Sequence, residues 1–255
     1  MKSQRLLLGL ALLVIFGTIA VTIGTLDGHS QEKTTEIKRP NTGRLPIAVR
    51  IRAKAGDPFR LNLVGTAAGV GVPEINFTIE NVGEKTAIAY VFRMDQECDG
   101  SIATAYELHN ILSRPKIVFP RRSVEHVLTG SECVGLVSDI TLSIDYVEFS
   151  DGSSWGEDSY RASERLAGLR AGARDETKLT ESIMKSTGSL TLGRGAENAR
   201  NIVIPPNHTE AWMIGYKNGR DFRLSQIEKA LSESGIQGVR ILLSMPYDAS
   251  GKEER

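Results

Sequence analysis

The chain has 255 residues, 31 basic and 31 acidic side chains, and 40% hydrophobic residues. That apolar content and charge balance exclude a disordered polymer, and two cysteines are too few for a disulfide-stapled scaffold. Net neutrality argues against general nucleic-acid binding, which needs a basic face to displace counterions.

Lys2 and Arg5 precede an uncharged run that opens at Leu6 and closes at Gly24. As a helix it would cover roughly 28 Å, near the thickness of a bilayer core. The leading charges predict a cytoplasmic N-terminus with the rest of the chain outside the cytoplasm. The expectation is a signal anchor or transmembrane helix over 1–26 that attaches the chain to the bacterial cell membrane, with the bulk periplasmic or extracellular. The alternative is a signal peptide, cleaved near Val21 or Gln31 to give a secreted product. The next segment, 27–45, is polar, broken by Pro40 and Gly43, and reads as a flexible linker.

Strand chemistry dominates 46–156. Ile47, Val49 and Ile51 alternate with Ala48, Arg50 and Arg52, and Ile75, Phe77 and Ile79 alternate with polar partners. A turn follows at 81–85. Further β-rich runs begin at Ile88, Ile117, Val124 and Ile140, separated by Pro120, Gly130 and Gly135. The spacing predicts a mainly β fold, a β-sandwich. One segment inside it, 102–112, reads as helix or loop. Gly65, Gly69 and Gly71 mark a loop without the context of a phosphate cradle.

Two stretches carry a resemblance. INFTIENVGEKTAIAYVF, with Asn81, Val82 and Lys85, leads into SIDYVEFSDGSSWG, with Val147, Phe149, Asp151, Gly152, Trp155 and Gly156. Together with the segment 164–174 they resemble a group of uncharacterised exported bacterial proteins with an immunoglobulin-like sandwich. The resemblance covers roughly 75–175 and implies a fold and export; it carries no catalytic residues. From the residues themselves, Asp151-Gly152 is a favoured turn pair, and Trp155 is expected to fold back as an apolar plug on the end of the sandwich.

The region 157–255 reads as an α+β appendage. Leu166 and Leu169 mark a helix over 160–174, and small residues at Gly168 and Gly172 would let it lie close on the sandwich. A second helical piece is expected over 175–185. Residues 189–201 read as loop. Short apolar runs at 202–204, 211–216 and 239–243 fit strands. Leu224, Ile227 and Leu231 are at helical spacing, and Gly235 reads as a C-cap.

Chemistry is sparse. Cys98 and Cys133 in an oxidising compartment favour a disulfide that would close a loop of about 35 residues, worth roughly 4 kcal/mol in the chain-entropy model; two free thiols are the rival. Ser182 and Lys185 match Ser-x-x-Lys, in which the amine would take the serine proton, as in an envelope hydrolase or acyl transferase. No separate Ser-x-Asn element accompanies them. Asp95, Glu97 and Asp99 with Gly100 mimic the start of a calcium loop, but Tyr106 stands where a bidentate Glu is needed. His29, His109, His126 and His208 show no ligand spacing, so no metal or cofactor is expected. The reading is a non-catalytic binding or structural module that meets a protein or glycan partner through strand edges and end loops, with no nucleic acid. The analogy runs from fold to role.

Overall fold

The structure, a computed structural model, describes residues 21–23, 30–37, 47–68, 73–110, 112, 117–129, 137–187 and 207–245. Among the described residues ten strands precede two helices: β1 (Val21–Ile23), β2 (Ser30–Ile37), β3 (Ile47–Lys54), β4 (Phe59–Ala68), β5 (Pro73–Asn81), β6 (Ala87–Cys98), β7 (Ser101–Asn110), β8 (Ser123–Thr129), β9 (Val137–Phe149), β10 (Ser154–Gly156), α1 (Ala162–Thr187) and α2 (Glu210–Ser244).

The strands form two sheets. The larger has the order β1-β2-β3-β9-β6-β7, with β10 also on β9; the smaller has the order β4-β5-β8. The β3–β9 pair is parallel and its neighbours are antiparallel. Alternation decides which side chains meet between the sheets. Phe59 and Leu61 of β4, Ile75, Phe77 and Ile79 of β5, and Leu128 of β8 face Val49 and Ile51 of β3, Tyr90, Phe92 and Met94 of β6, and Ile140, Leu142 and Ile144 of β9 in one buried cluster. Edge-to-face rings add to it, with Phe77 and Phe92 at 4.9 Å and Phe59 and Tyr90 at 5.6 Å.

The other face of the larger sheet is also covered. Ala89, Val91 and Tyr146 pack against Ala162 and Leu166 of α1. Residues 87–92 of β6 are therefore buried on both faces. The junction into α1 is tightly organised. Asp145, buried in β9, accepts hydrogen bonds from the backbone N–H groups of Ser159 (3.2 Å) and Tyr160 (3.0 Å). Asp158, at φ 56°, caps α1 by accepting from the N–H of Ala162 and the hydroxyl of Ser163. Tyr160 stacks on Tyr106 at 4.9 Å and lies under the Arg165 guanidinium at 4.1 Å, and Arg170 pairs with Glu148 at 2.7 Å.

Up to the Gly235 break, α1 and α2 run parallel with unusually close backbones, since Gly168 meets Trp212 and Gly172, one turn on, meets Tyr216. A Cβ on Gly168 would stand 2.1 Å from the Trp212 carbonyl oxygen, and one on Gly172 would stand 2.0 Å from that of Tyr216. From the other side, Gly215 and Gly219 abut the carbonyl oxygens of Arg165 and Leu169, each at 2.0 Å from such a Cβ. Polar groups complete the seam: Tyr216 donates to Asp175 (2.9 Å), Arg220 pairs with Glu176 (3.4 Å), and Arg223 donates to Thr177 (3.0 Å). Burial pushes the Glu176 carboxyl upward while Arg220 pulls it back. Gly235, at φ 60°, breaks α2 and serves as the expected helix stop; beyond it the chain turns back so that the Leu242 carbonyl accepts from Arg223 at 3.0 Å.

Several expectations change. Residues 211–216 and 239–243, expected as strands, lie in α2, so the described part of 157–255 is a packed pair of helices and not an α+β lobe. The pattern misleads because the buried residues of α2 include Gly215, Gly219, Arg220 and Arg223 alongside Tyr216, Ile227 and Val239, so glycines and arginines stand where a helical apolar stripe is looked for. Gly168 and Gly172 bring α1 close to α2, not to the sheets. The two helical pieces over 160–185 are one helix, α1. The helix or loop over 102–112 is instead strand β7, which pairs with β6 from Ala89↔Asn110 to Cys98↔Ser101. Gly65 lies within β4 at a bulge, where the register slips between Leu63 and Gly65, so the Gly-rich segment is in part strand. Ser30–Ile37, expected within the flexible linker, forms β2 along β3. Val21–Ile23, at the end of the expected membrane span, is strand β1 on β2. Among the described residues no helix is long and apolar enough to cross a membrane. Residues 1–20, His29, Gly69, Gly71, Cys133 and 189–204 lie outside the described residues.

Candidate functional site at the end of the sandwich

The resemblance-bearing residues converge on one end of the two-sheet body, where four connections meet. Asn81, the last residue of β5, is fully buried. Its side-chain amide donates to the carbonyls of Lys85 (2.8 Å) and Val118 (2.9 Å), and its Oδ1 accepts from the N–H of Gly83 (3.0 Å). Its backbone N–H donates to the Arg122 carbonyl (3.0 Å), and its carbonyl accepts from the N–H of Arg121 (2.9 Å). One side chain thus closes the 81–85 turn and ties it to the segment before β8. Val82 donates to the Pro58 carbonyl at 2.8 Å, which adds the β3–β4 connection.

The fourth connection is the β9–β10 turn. Gly152 takes φ 83°, and Asp151 accepts from the N–H (2.9 Å) and hydroxyl (2.6 Å) of Ser153. Lys85 reaches across to Asp151 (2.8 Å) and Ser153 (2.9 Å), and its ammonium lies 5.8 Å from the Phe149 ring centre. The Lys85 ammonium, helped by Ser153, holds the Asp151 carboxyl far below the usual range. Trp155 packs against the main core, the plug expected from the sequence. Gly156, at φ 117°, passes so close to β9 that a Cβ would stand 2.2 Å from the Asp145 carbonyl oxygen. Asn81, Lys85, Asp151, Gly152, Trp155 and Gly156 are therefore a scaffold that welds loops together.

On that scaffold sits a turn that the sequence reading did not single out. The Arg122 N–H donates to the Phe119 carbonyl at 3.1 Å, Pro120 is the second residue and Arg121 the third, at φ 58°. This fits a type II turn, whose third position normally calls for Gly or Asn. Phe119 is 57% exposed, while the adjacent Val118 is fully buried. Arg121 and Arg122 are both exposed. A Phe-Pro-Arg-Arg tetrapeptide between two strands, with no glycine to relieve the turn, was the available signal.

The other candidate residues do not assemble into a site. Ser182 and Lys185 are exposed near the end of α1. A cleft of about 450 Å³ opens there, lined by Glu181, Met184, Lys185, Arg240, Leu243 and Ser244, and Ser182 is not on its wall. Asp95, on β6, is engaged by Arg93 (3.0 Å) and Thr104 (2.7 Å). Asp99 (φ 46°) and Gly100 (φ 79°) form the tight hairpin turn between β6 and β7, so the segment that mimics the start of a calcium loop is a hairpin. Among the described residues no group of three or more His, Cys, Asp or Glu is placed to hold a metal. Cys98 is buried at the end of β6 and is not a free thiol.

Two histidines that look scattered in sequence do meet. His109 of β7 and His126 of β8 face each other across the core with ring centres 4.7 Å apart, and the Tyr90 hydroxyl lies 2.9 Å from His126 Nε2. Burial, with the Glu107 carboxylate nearby, pushes the Tyr90 hydroxyl upward. The cluster lies inside the two-sheet core.

No protein-family model matches the chain, and no curated protein matches it in sequence. Among solved structures, a DUF1425 family member from Shewanella sp. pv-4 is 8% identical, with 49% of this chain and 94% of that chain covered and a TM-score of 0.26. A likeness that weak transfers neither fold nor role.

Proposed function

We propose that this chain is a membrane-anchored, extracytoplasmic, immunoglobulin-like sandwich that works without catalysis by presenting its end loops to a partner. The observation that carries this reading is the weld around Asn81. Four connections are tied together by the hydrogen bonds of buried Asn81, the Val82–Pro58 backbone bond and the Lys85–Asp151 pair, and exposed Phe119, Arg121 and Arg122 stand on one of them. Binding surfaces are commonly loops held by a rigid scaffold, and sandwich ends are a recurrent place for them. In this reading Cys98 pairs with Cys133, and the apolar run ahead of β1 holds the module at the membrane.

Site-directed photo-crosslinking in the native host tests the proposal. A photoreactive residue at Glu84 or Arg122 is expected to capture a reproducible partner, and one at Val127, exposed on β8 away from the loops, is not. Equal capture from all three positions, or none from the loops, overturns it. Recovery of Met1 on the mature protein supports the anchor; a start near Val21 or Gln31 replaces it with a secreted form.

A further inference from the structure

We infer that the Phe119–Arg122 turn recognises an acidic protein segment, with Phe119 entering an apolar spot and the two guanidinium groups pairing with carboxylates beside it. The inference rests on the end-loop reading above and assigns that surface a partner chemistry.

Three observations converge. First, Arg121 holds φ 58° at a turn position where glycine would be free of steric cost. The strain is sustained by the Asn81 backbone, which bonds Arg121 through its carbonyl and Arg122 through its N–H. Strained non-glycine residues persist where surrounding structure over-determines them, and they cluster at binding sites. Second, both guanidinium groups are exposed and neither pairs with an acid among the described residues, whereas neighbouring cations are matched, as in Lys85–Asp151 and Arg60–Glu80. Third, Phe119 stands exposed between a fully buried Val118 and the two arginines. Aromatic and arginine side chains together are the composition of interface hot spots, and a pre-ordered turn spares the entropy of fixing them.

The same surface fits an acidic protein better than an anionic bilayer. Glu84 and Asp151 stand on connections tied to the same Asn81 scaffold, so this end carries acids that a negative membrane surface would repel. A single phenylalanine also supplies too little apolar area for stable membrane attachment. A protein segment can place its carboxylates opposite the arginines and avoid those acids.

The test uses the full chain and three probes: a short fluorescein-labelled Asp-Glu-Leu repeat peptide, its Lys-Lys-Leu counterpart, and phosphatidylglycerol vesicles. Binding of the acidic peptide, weakening with salt and falling about tenfold in each of Phe119→Ala, Arg121→Gly and Arg122→Ser, is the expected result. Arg121→Gly is also expected to raise the melting temperature, because it removes strain as it removes the contact. Lack of acidic-peptide binding, equal binding by the variants, preference for the vesicles or the basic peptide, or a lower melting temperature for Arg121→Gly each overturns the inference. If crosslinking from Glu84 and Arg122 still captures a partner while the peptide result is negative, the binding-module reading stands and the acidic specificity falls. Lack of capture from the loops removes the binding-module reading itself.

Discussion

Replacing Gly172 with alanine sets two opposed effects against each other. Alanine is favoured over glycine in a helix interior by about 1 kcal/mol, and Gly172 lies well inside α1, so propensity alone predicts stabilisation. Against this, the new Cβ would stand 2.0 Å from the Tyr216 carbonyl oxygen, where real contacts essentially never fall below 3.0 Å. The obstacle is backbone, so no rotamer change relieves it, and the helices must separate by about 1 Å. Separation loosens Gly168, Gly215 and Gly219 together with the Asp175–Tyr216 and Glu176–Arg220 contacts. Overpacking of this kind costs about 1–3 kcal/mol, and lost contacts add to it, so the steric effect wins with a net destabilisation of about 1–3 kcal/mol. Gly219→Ala should behave alike. The double variant should cost less than the two single costs together, because one displacement relieves both clashes. Urea unfolding followed by far-ultraviolet circular dichroism measures the losses, with hydrogen exchange over 162–187 reporting the helix pair itself. Gly65→Ala, where a Cβ meets nothing within 4 Å, is the control. A Gly172→Ala protein as stable as the parent would refute the close-packed seam.

Asn81→Ala should be costly, because it strands the Lys85 and Val118 carbonyls and the Gly83 N–H; about 2–4 kcal/mol is expected in chemical denaturation, with a matching rise in proteolysis of the end loops. Asp57, between β3 and β4, has its carboxyl pushed up by burial to about 6 from 3.8. Between those values the folded state keeps a proton that the unfolded chain has lost, so stability falls as pH rises from about 4 to 6 and the cost is complete above 6. Asp57→Asn should therefore be more stable than the parent at pH 7 by up to about 2 kcal/mol after solvent screening, and equal to it below pH 4; parallel stability curves across that range would contradict this. If Cys98 and Cys133 pair, the unfolded protein should show no reactive thiol until reductant is added, and reduction should cost about 2–4 kcal/mol; two thiols in a thiol titration without reductant would exclude the bond.

The β half of the fold is largely legible in the chain. Ile75, Phe77 and Ile79 announce β5 by alternation, and the runs at Ile47, Ile88, Val124 and Ile140 announce β3, β6, β8 and β9, because one buried face per strand leaves a period of two. β4 carries the same mark in Phe59, Leu61 and Leu63 but was obscured by the glycines that follow. β7 was not legible, since Ala103, Ala105, Tyr106 and Leu108 mix both faces and take strand form only by pairing with β6. The scaffold residues Asn81, Lys85, Asp151 and Trp155 stood out as a motif, whereas the Phe119–Arg122 turn became visible only when the Asn81 backbone was seen to hold it.

Local chemistry, then, was enough to place turns, alternating strands and the Gly235 break, because each depends on neighbours within a few residues. What the helices pack against, and which histidines meet, depends on residues far apart in the chain. Gly168 and Gly172 allow close approach to any surface; it took Gly215 and Gly219, more than forty positions on, to supply the matching backbone. His109 and His126 face each other because β7 and β8 belong to opposite sheets of one core, a relation set by burial across the whole body and carried by no local spacing.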